Sequence, residues 1–231
     1  SGGDYYVTTL TDYGENVNLE NALVYSDNIY FARTALNIGA DVMKEYFGKM
    51  GFDEEIPFEL SLQQSTYDDD GNIDSDIQLA DTGYGQGQLL VNPVHMLSMY
   101  SMFVNGGNMI QPVLTLEDGY TAKVWKQQVI SPETAETVKN DLIQVIENPS
   151  GTGAVAKIDG ITMLGKTGTA EIKDSQDDTD GIERGWFICE TADAAAAKPV
   201  AVVGMIEDVK GKGGSNYVTQ KVGNIAAAYE E

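Results

Sequence analysis

The chain has few of the residues that bind metals, form disulfides or contact nucleic acid. Its 231 residues include one cysteine, Cys189, so an intrachain disulfide is excluded. The only histidine is His95, and a Ser-His-Asp triad or a histidine zinc site would depend on that one residue. Lysine and arginine total 14 against 36 acidic residues, a formal net charge of -22. Because phosphate binding needs clustered positive charge, we expect no nucleic acid partner.

The sequence also lacks long apolar runs. No stretch approaches the ~18 uninterrupted apolar residues of a membrane span, and no signal peptide pattern opens the chain. Hydrophobic residues still make up 42% of the composition, which is enough for a substantial core. The length is within the range of one large α/β domain.

Helical patterns dominate the first part of the chain and strand patterns the last. We therefore predict one domain over residues 1–231, with a mainly helical lobe at 1–150 and the strands plus a closing helix at 151–231. The two clearest helix starts are Asn92-Pro93 and Ser131-Pro132, each a capping residue followed by proline at the first helical position. Predicted helices cover residues 19–36 with a break at 26–28, 41–50, 92–105, 131–147 and 216–229, and predicted strands cover 161–164, 186–189 and 200–205.

Two segments are predicted to be exposed loops. Residues 53–78 lack periodicity and include the acidic run Asp68 to Asn72. A calcium loop is not predicted there, because the EF-hand pattern would place its first and last ligands at Thr66 and Ile77. Residues 174–183 are acidic and polar, as in a hairpin loop.

Two short motifs carry chemical information. Ser26-Asp27-Asn28 lies at the helix break, and Lys166-Thr167-Gly168-Thr169 follows a predicted strand. Both belong to the motif set of serine acyltransferases that react with penicillin, whose remaining motif, Ser-x-x-Lys, holds the nucleophile. No serine in this sequence is followed by lysine three positions later. Taken singly, the first motif is more typical of a helix-capping turn and the second of a strand entering a turn, and it is their order and context that favour an active site.

The residue types in the two motifs fit acyl transfer. Such a reaction needs a nucleophile, a proton relay, donors for the oxyanion and a clamp for a substrate carboxylate. Ser26 is a candidate relay and Asn28 a candidate donor to a substrate carbonyl. Lys166 would supply positive charge, while Gly168 removes a side chain so that a substrate can pair with the strand edge.

The chain resembles the transpeptidase domain of class B penicillin-binding proteins. It is most similar to the low-affinity Gram-positive group that includes the methicillin-resistance transpeptidase of staphylococci. The matching segments are long and run through nearly the whole chain: SDNIYFARTALNIG from Ser26, LADTGYGQGQLLVNPVHMLSMYS from Leu79, VWKQQVIS from Val124, LGKTGTAEIK from Leu164 and RGWFI from Arg184.

The resemblance implies a fold, an activity and a set of site residues. The fold would be α/β, an antiparallel sheet with helices on both faces and a helical lobe across a cleft. The activity would be D,D-transpeptidation, in which an acyl-serine intermediate forms from the D-Ala-D-Ala end of a peptidoglycan stem peptide and passes to a neighbouring amine. β-Lactams would acylate the same serine, and no cofactor or metal would be needed. The implied catalytic residues are Ser26, Asn28 and Lys166, and the implied substrate-binding residues are Thr167, Gly168, Thr169, Tyr84 and Gln86.

The resemblance also bears on residues outside the two motifs. Tyr5 or Tyr6 falls where the family has a tyrosine near the cleft mouth. Glu171 is expected to serve the structure of the strand. The segment Gly83 to Gly87, which contains Tyr84 and Gln86, is equally compatible with a glycine-rich turn that packs on the core.

The absent nucleophile motif sets the remaining expectations. In the family this motif precedes the Ser-x-Asn turn, so we expect that the chain is truncated ahead of Ser1 and lacks the nucleophile helix and first strands. It would then be inactive alone, with an uncovered sheet edge that promotes self-association. The parent would be anchored in the cytoplasmic membrane, with this domain outside. A serine β-lactamase fragment and a non-catalytic peptidoglycan-binding or β-lactam sensor module remain as alternatives.

Overall fold

The computed structural model describes residues 6–9, 17–172 and 181–230. In these ranges, a series of helices precedes the first strand, and the three longest strands follow one another near the end. Helices α1 to α7 span Leu19–Val24, Asn28–Ile38, Ala40–Met50, Asp76–Gly83, Pro93–Ser101, Pro132–Glu147 and Ser215–Glu230. Strands β1 to β5 span Met109–Ile110, Val124–Lys126, Met163–Ile172, Ile182–Thr191 and Ala201–Ile206.

The central sheet is antiparallel, with β4 between β3 and β5. One face carries Phe187 and Cys189, which pack against Val218 and Val222 of α7. On the other face, Leu164 packs with residues of α6 and with Tyr100 from the end of α5. Helices therefore flank the sheet, and the predicted α/β fold class is confirmed. In the described part of the chain, no strand pairs with the outer edge of β3 or of β5.

Glycines let helix α7 pack closely on β5 and on the short 3-10 helix Ala154–Ala156. A Cβ atom on Gly204 of β5 would lie 2.5 Å from the Cγ2 atom of Val222. A Cβ atom on Gly223 would lie 2.9 Å from the Ala156 backbone. Real Cβ contacts are not this short, so glycine at both positions is what allows the helix to approach.

The capping signals identified the helix starts well. The Asn92 side chain accepts a hydrogen bond from Val94 N–H at 2.9 Å. The Ser131 hydroxyl oxygen accepts one from Thr134 N–H at 3.1 Å. Each cap satisfies a backbone donor that the first turn of a helix leaves unpaired. The predicted strands were placed correctly but were too short, since β3 continues to Ile172 through the Lys166 motif.

The expected surface loop over residues 53–78 is mostly exposed and has no helix or strand before α4, but one part of it is buried in the fold. Tyr67 stacks on Phe47 at 4.9 Å between ring centroids, and Asp68 is buried. The Asp68 carboxylate accepts hydrogen bonds from the N–H groups of Asp70 and Asn72, so its buried charge is compensated locally. Helix α4 then begins within the segment. Most of the loop predicted at 174–183 lies outside the described residues.

His95 and Cys189 have structural positions. The His95 ring is fully buried, with Nδ1 2.8 Å from the Ser65 hydroxyl oxygen and Nε2 2.8 Å from the Met50 carbonyl oxygen. Cys189 lies in the core, where burial raises the pKa of its thiol to about 12. Such a thiol is inert as a nucleophile. Among the described helices, none is long and apolar enough to cross a bilayer.

Candidate active site

A groove of about 1070 Å³ runs between the helical part of the chain and the outer edge of β3. It brings together residues that are far apart in the sequence. Its lining includes seven of the eight site residues that the sequence predicted: Ser26, Asn28, Tyr84, Gln86, Thr167, Gly168 and Thr169. The eighth, Lys166, does not line the groove but donates a hydrogen bond to the Ser26 hydroxyl oxygen.

The Ser26 turn is shaped by the helices on either side of it. Helix α1 ends before Ser26, whose φ of 56° lies in the left-handed region that favours glycine. Asp27 then caps α2, because its carboxylate accepts a hydrogen bond from Tyr30 N–H at 3.1 Å. The motif is thus a helix-capping turn and a wall of the groove at once. A serine in this strained conformation is a feature often found at functional sites.

Lys166 reaches from β3 to this turn. Its ammonium group donates hydrogen bonds to the Ser26 hydroxyl oxygen at 2.8 Å and to the Thr167 carbonyl oxygen at 3.0 Å. The residue as a whole is only half-buried, but its ammonium end is enclosed by these partners. Burial lowers the pKa of Lys166 to about 8, because desolvation disfavours the charged form. The amine is therefore close to its titration range at neutral pH.

The residues after Lys166 form the opposite wall. The buried Thr167 hydroxyl donates to the Thr152 hydroxyl oxygen at 2.9 Å, while Thr169 is exposed in the groove. At Gly168, a Cβ atom would have one neighbour within 4 Å, the Trp186 Cβ atom at 3.3 Å. The absent side chain consequently leaves the edge of β3 open to the groove.

Asn28 is the first residue of α2 and points towards the N-terminal segment. Its side-chain amide donates to the Thr8 carbonyl oxygen at 3.1 Å. Tyr6, Val7 and Thr8 all line the groove, and Tyr6 is 73% exposed at its mouth. The alternative candidate, Tyr5, lies outside the described residues.

Tyr84 and Gln86 follow α4 on a glycine-rich turn. The Tyr84 hydroxyl donates to the Asp81 carboxylate at 2.5 Å. The Gln86 side-chain amide donates to the Thr169 carbonyl oxygen at 3.2 Å, so this turn contacts β3 directly. Behind it, a Cβ atom on Gly83 would lie 2.5 Å from the Ala35 side chain, which shows how closely α4 packs on α2. The segment is therefore both a packed turn and a part of the groove.

Several lining residues were missed by the sequence analysis: Asp81, Thr152, Glu183, Gly213, Gly214, Ser215 and Asn216. The run Gly211 to Ser215 before the last helix is a visible signal, because paired glycines often allow a turn to approach a ligand. Glu171 also lines the groove, directly opposite Glu183 in the β3–β4 register. In the described ranges, no cluster of three or more metal-ligating side chains is present.

The family model for the penicillin binding protein transpeptidase domain matches residues 1–227. The chain belongs to this family. Penicillin-binding protein 3 of Bacillus subtilis (strain 168) is 44% identical over 221 residues, covering 96% of this chain and 32% of that protein. A peptidoglycan D,D-transpeptidase FtsI homolog of Mesostigma viride is 27% identical over 184 residues, covering 69% of this chain and 30% of that protein. The chain spans about a third of the length of these relatives.

Solved penicillin-binding proteins share the fold. The ceftriaxone acyl-enzyme complex of penicillin-binding protein A from Mycobacterium tuberculosis superimposes with a TM-score of 0.74. The match covers 92% of this chain and 48% of that one, at 22% sequence identity. The family match identifies the chain as the transpeptidase domain of a class B penicillin-binding protein, and the fold agrees with this.

Proposed function

We propose that this chain supplies two walls of the acyl-transfer site of a peptidoglycan D,D-transpeptidase. The observation that carries the proposal is the 2.8 Å contact between Lys166 and Ser26 beside the open edge of β3. It joins the Ser-x-Asn and Lys-Thr-Gly motifs in one groove that also contains Asn28 and Thr169. The nucleophilic serine would come from residues outside this chain, since the sequence has no Ser-x-x-Lys motif.

The reaction assigned to the groove has two halves. The serine oxygen attacks the carbonyl carbon between the last two D-alanines, and its proton passes to the leaving amine, so that D-Ala departs and an acyl-serine ester remains. An amine on a second stem peptide then attacks the ester, loses a proton and restores the serine. No cofactor or metal takes part. β-Lactams would acylate the same serine.

Each groove residue has a role in this scheme. Ser26, held by Lys166, relays the proton, and the Lys166 ammonium attracts the substrate carboxylate. The Thr169 hydroxyl would donate to the substrate carboxylate, as would the Thr167 hydroxyl after leaving its partner Thr152, and the Thr169 N–H would donate to the oxyanion. Asn28 would bind a substrate carbonyl after leaving its partner at Thr8. Tyr84 and Gln86 form the far wall of the groove.

The proposal extends to the parent protein. We infer that residues 1–231 are one partial transpeptidase domain, and that the parent is anchored in the cytoplasmic membrane with this domain outside, where its peptidoglycan substrate lies. Within class B, the motifs favour the low-affinity group of the staphylococcal methicillin-resistance transpeptidase. Slow labelling of the parent by penicillin, requiring high antibiotic concentrations, would support that subgroup.

Fluorescent penicillin tests the function directly. The parent protein should give a covalent band on a denaturing gel that excess unlabelled penicillin abolishes, whereas this chain alone should give none. The Lys166→Ala parent should lose the band, while Lys49→Ala, which removes an exposed lysine of α3, should retain it. A labelled isolated chain would refute the assignment of the nucleophile. An unlabelled parent would favour a non-catalytic peptidoglycan-binding module, and rapid penicillin hydrolysis by the parent would favour a β-lactamase.

A further inference from the structure

Gln86 reaches across the groove to a backbone atom. Its side-chain amide donates to the Thr169 carbonyl oxygen at 3.2 Å, although 83 residues separate the two in the sequence. Both residues line the groove, and Gln86 is half-buried. The contact ties the turn after α4 to the strand that forms the opposite wall.

The Thr169 carbonyl faces away from the neighbouring strand. The Thr169 carbonyl oxygen accepts a hydrogen bond from the Gln86 side chain, and the Thr167 carbonyl oxygen accepts one from the Lys166 ammonium. Neither donor belongs to the β3–β4 backbone ladder. In an antiparallel pair, outward-facing residues alternate, and each turns its N–H and C=O to the same side. Thr167 and Thr169 are two apart and fit this alternation. Their backbone groups are thus the pairing edge that β3 offers in the groove.

A peptide that pairs with this edge would need the space that Gln86 occupies. Paired strands lie about 4.8 Å apart, and an added strand binds through main-chain hydrogen bonds. The Gln86 amide nitrogen lies within that separation from the Thr169 carbonyl oxygen. A backbone N–H of the peptide and the Gln86 side chain therefore compete for the same position.

The turn that carries Gln86 has room to release it. Gly85 and Gly87 flank the residue with φ values of 84° and 71°, which side-chain-bearing residues rarely adopt. A Cβ atom on Gly85 would meet nothing within 4 Å, so this side of the turn is unobstructed. The Gln86 N–H is meanwhile held by the Asp81 carbonyl oxygen at 2.9 Å. The backbone is anchored at that bond, so the side chain can leave Thr169 without a movement of the turn.

We propose that the Gln86 side chain is a displaceable substitute for the substrate's backbone amide, which holds the Thr169 carbonyl until an extended peptide or a penicillin pairs with β3. This inference rests on the proposed function. It assigns Gln86 a role opposite to that of a simple substrate ligand, because the residue competes with the substrate at the start of binding. Gln86 then raises the non-covalent dissociation constant of a peptide or penicillin in the groove, because its hydrogen bond must break before the ligand pairs with β3.

The test separates binding from chemistry. The rate of covalent labelling of the parent is measured over a range of fluorescent penicillin concentrations, which gives the non-covalent dissociation constant and the acylation rate constant separately. For Gln86→Ala and Gln86→Asn, whose side chains cannot reach Thr169, the dissociation constant should fall two- to tenfold, the value of one ordinary hydrogen bond. The acylation rate constant should stay the same. The control is Gln88→Ala, which removes the acceptor of the Asp69 N–H bond outside the groove and should leave both constants unchanged.

The other outcomes overturn the inference. A dissociation constant that rises in both variants would make Gln86 a direct ligand of the substrate. A constant that does not change would show that the contact with Thr169 offers no competition. Thermal denaturation shows whether each variant is folded. Because Gln86→Ala and Gln86→Asn are tested separately, the inference can still be judged if one of them does not fold. If the wild-type parent is not labelled at all, the proposed function fails and this inference fails with it. If the parent is labelled but the dissociation constant of the Gln86 variants does not fall, this inference fails and the proposed function stands.

Discussion

The ammonium group of Lys166 donates a 2.8 Å hydrogen bond to the hydroxyl oxygen of Ser26, 140 residues earlier in the sequence. One partner belongs to a helix-capping turn and the other to the edge strand of the sheet. The bond therefore links the Ser26 turn to the sheet and holds a titratable group in place. Several consequences can be measured.

The first prediction is a loss of activity above pH 8. Burial sets the pKa of Lys166 at about 8, so its positive charge is present below that pH and disappears as the pH rises through it. The rate at which penicillin labels the parent should fall over this range. Lys166→Arg keeps its charge and should label more slowly but without the decline near pH 8. Lys49→Arg is the matched control, and an unchanged profile in Lys166→Arg would contradict the assignment.

The second prediction concerns the strained backbone of Ser26. Glycine adopts a φ of 56° without steric penalty, which is worth up to about 1 kcal/mol, but Ser26→Gly also removes a hydrogen bond from the Lys166 ammonium worth about 1.5–3 kcal/mol. This change should therefore lower the free energy of unfolding of this chain by about 1–2 kcal/mol. In the parent, the same change should reduce penicillin labelling. Gln128→Gly, at a φ of 46° outside the groove, should stabilise without affecting labelling. Urea denaturation measures the stability of both variants, and a gain of stability in Ser26→Gly or a loss in Gln128→Gly would contradict the prediction.

The third prediction is a pH-dependent stability caused by Glu190. This carboxyl is 8% exposed, one of its oxygens has no hydrogen-bond partner, and burial raises its pKa from 4.5 to about 7. The native state therefore holds the proton more tightly than the unfolded chain, so the free energy of unfolding should fall as the pH rises from 4.5 to 7. The fall should be at most about 3 kcal/mol.

Denaturation at a series of pH values tests the role of Glu190. Glu190→Gln cannot ionise and should remove most of this slope, whereas Glu55→Gln, in an exposed loop, should retain it. The charge of Glu190 also raises the pKa of the buried Tyr100 hydroxyl, after the larger effect of desolvation. Equal slopes in the two variants would place the titrating group elsewhere.

The fourth prediction compares two glycines. Gly204→Ala would push a methyl group to 2.5 Å from the Val222 side chain, and we expect a loss of about 1–3 kcal/mol in the free energy of unfolding. Gly48 lies in α3, where a Cβ atom meets nothing within 4 Å. Gly48→Ala should therefore stabilise by about 0.5–1 kcal/mol through helix propensity. Similar effects of the two changes would contradict the close packing of α7.

Local signals predicted some parts of this structure and long-range packing determined the others. Asn92 and Ser131 identified helix starts because capping depends on residues two or three positions away. The buried segment around Asp68 could not be predicted, because its burial depends on Phe47 and on hydrogen bonds within a turn that resembles a solvated loop. Strand β3 was drawn too short because its motif residues lack apolar alternation.

The candidate site shows the same division. Its motifs were readable in the sequence, and resemblance to a family suggested that they share a cleft. The contact between Gln86 and Thr169 had no local signal, since it depends on how the turn after α4 meets β3. The glycine pair before α7 could have been identified, but its place in the groove is a consequence of the whole fold.

The fifth prediction is that the isolated chain associates with itself through β5. In the described residues this strand has a partner on one side only, and Met205 is 39% exposed. Unpaired strand edges recruit other strands, and a charged side chain on the edge opposes this. Sedimentation should show association of the chain that Met205→Lys weakens and that Ile225→Lys, on the exposed side of α7, does not. If Ile225→Lys alone abolished association, the contact surface would be α7. If the wild-type chain sedimented as a monomer, the β5 edge would not mediate self-association.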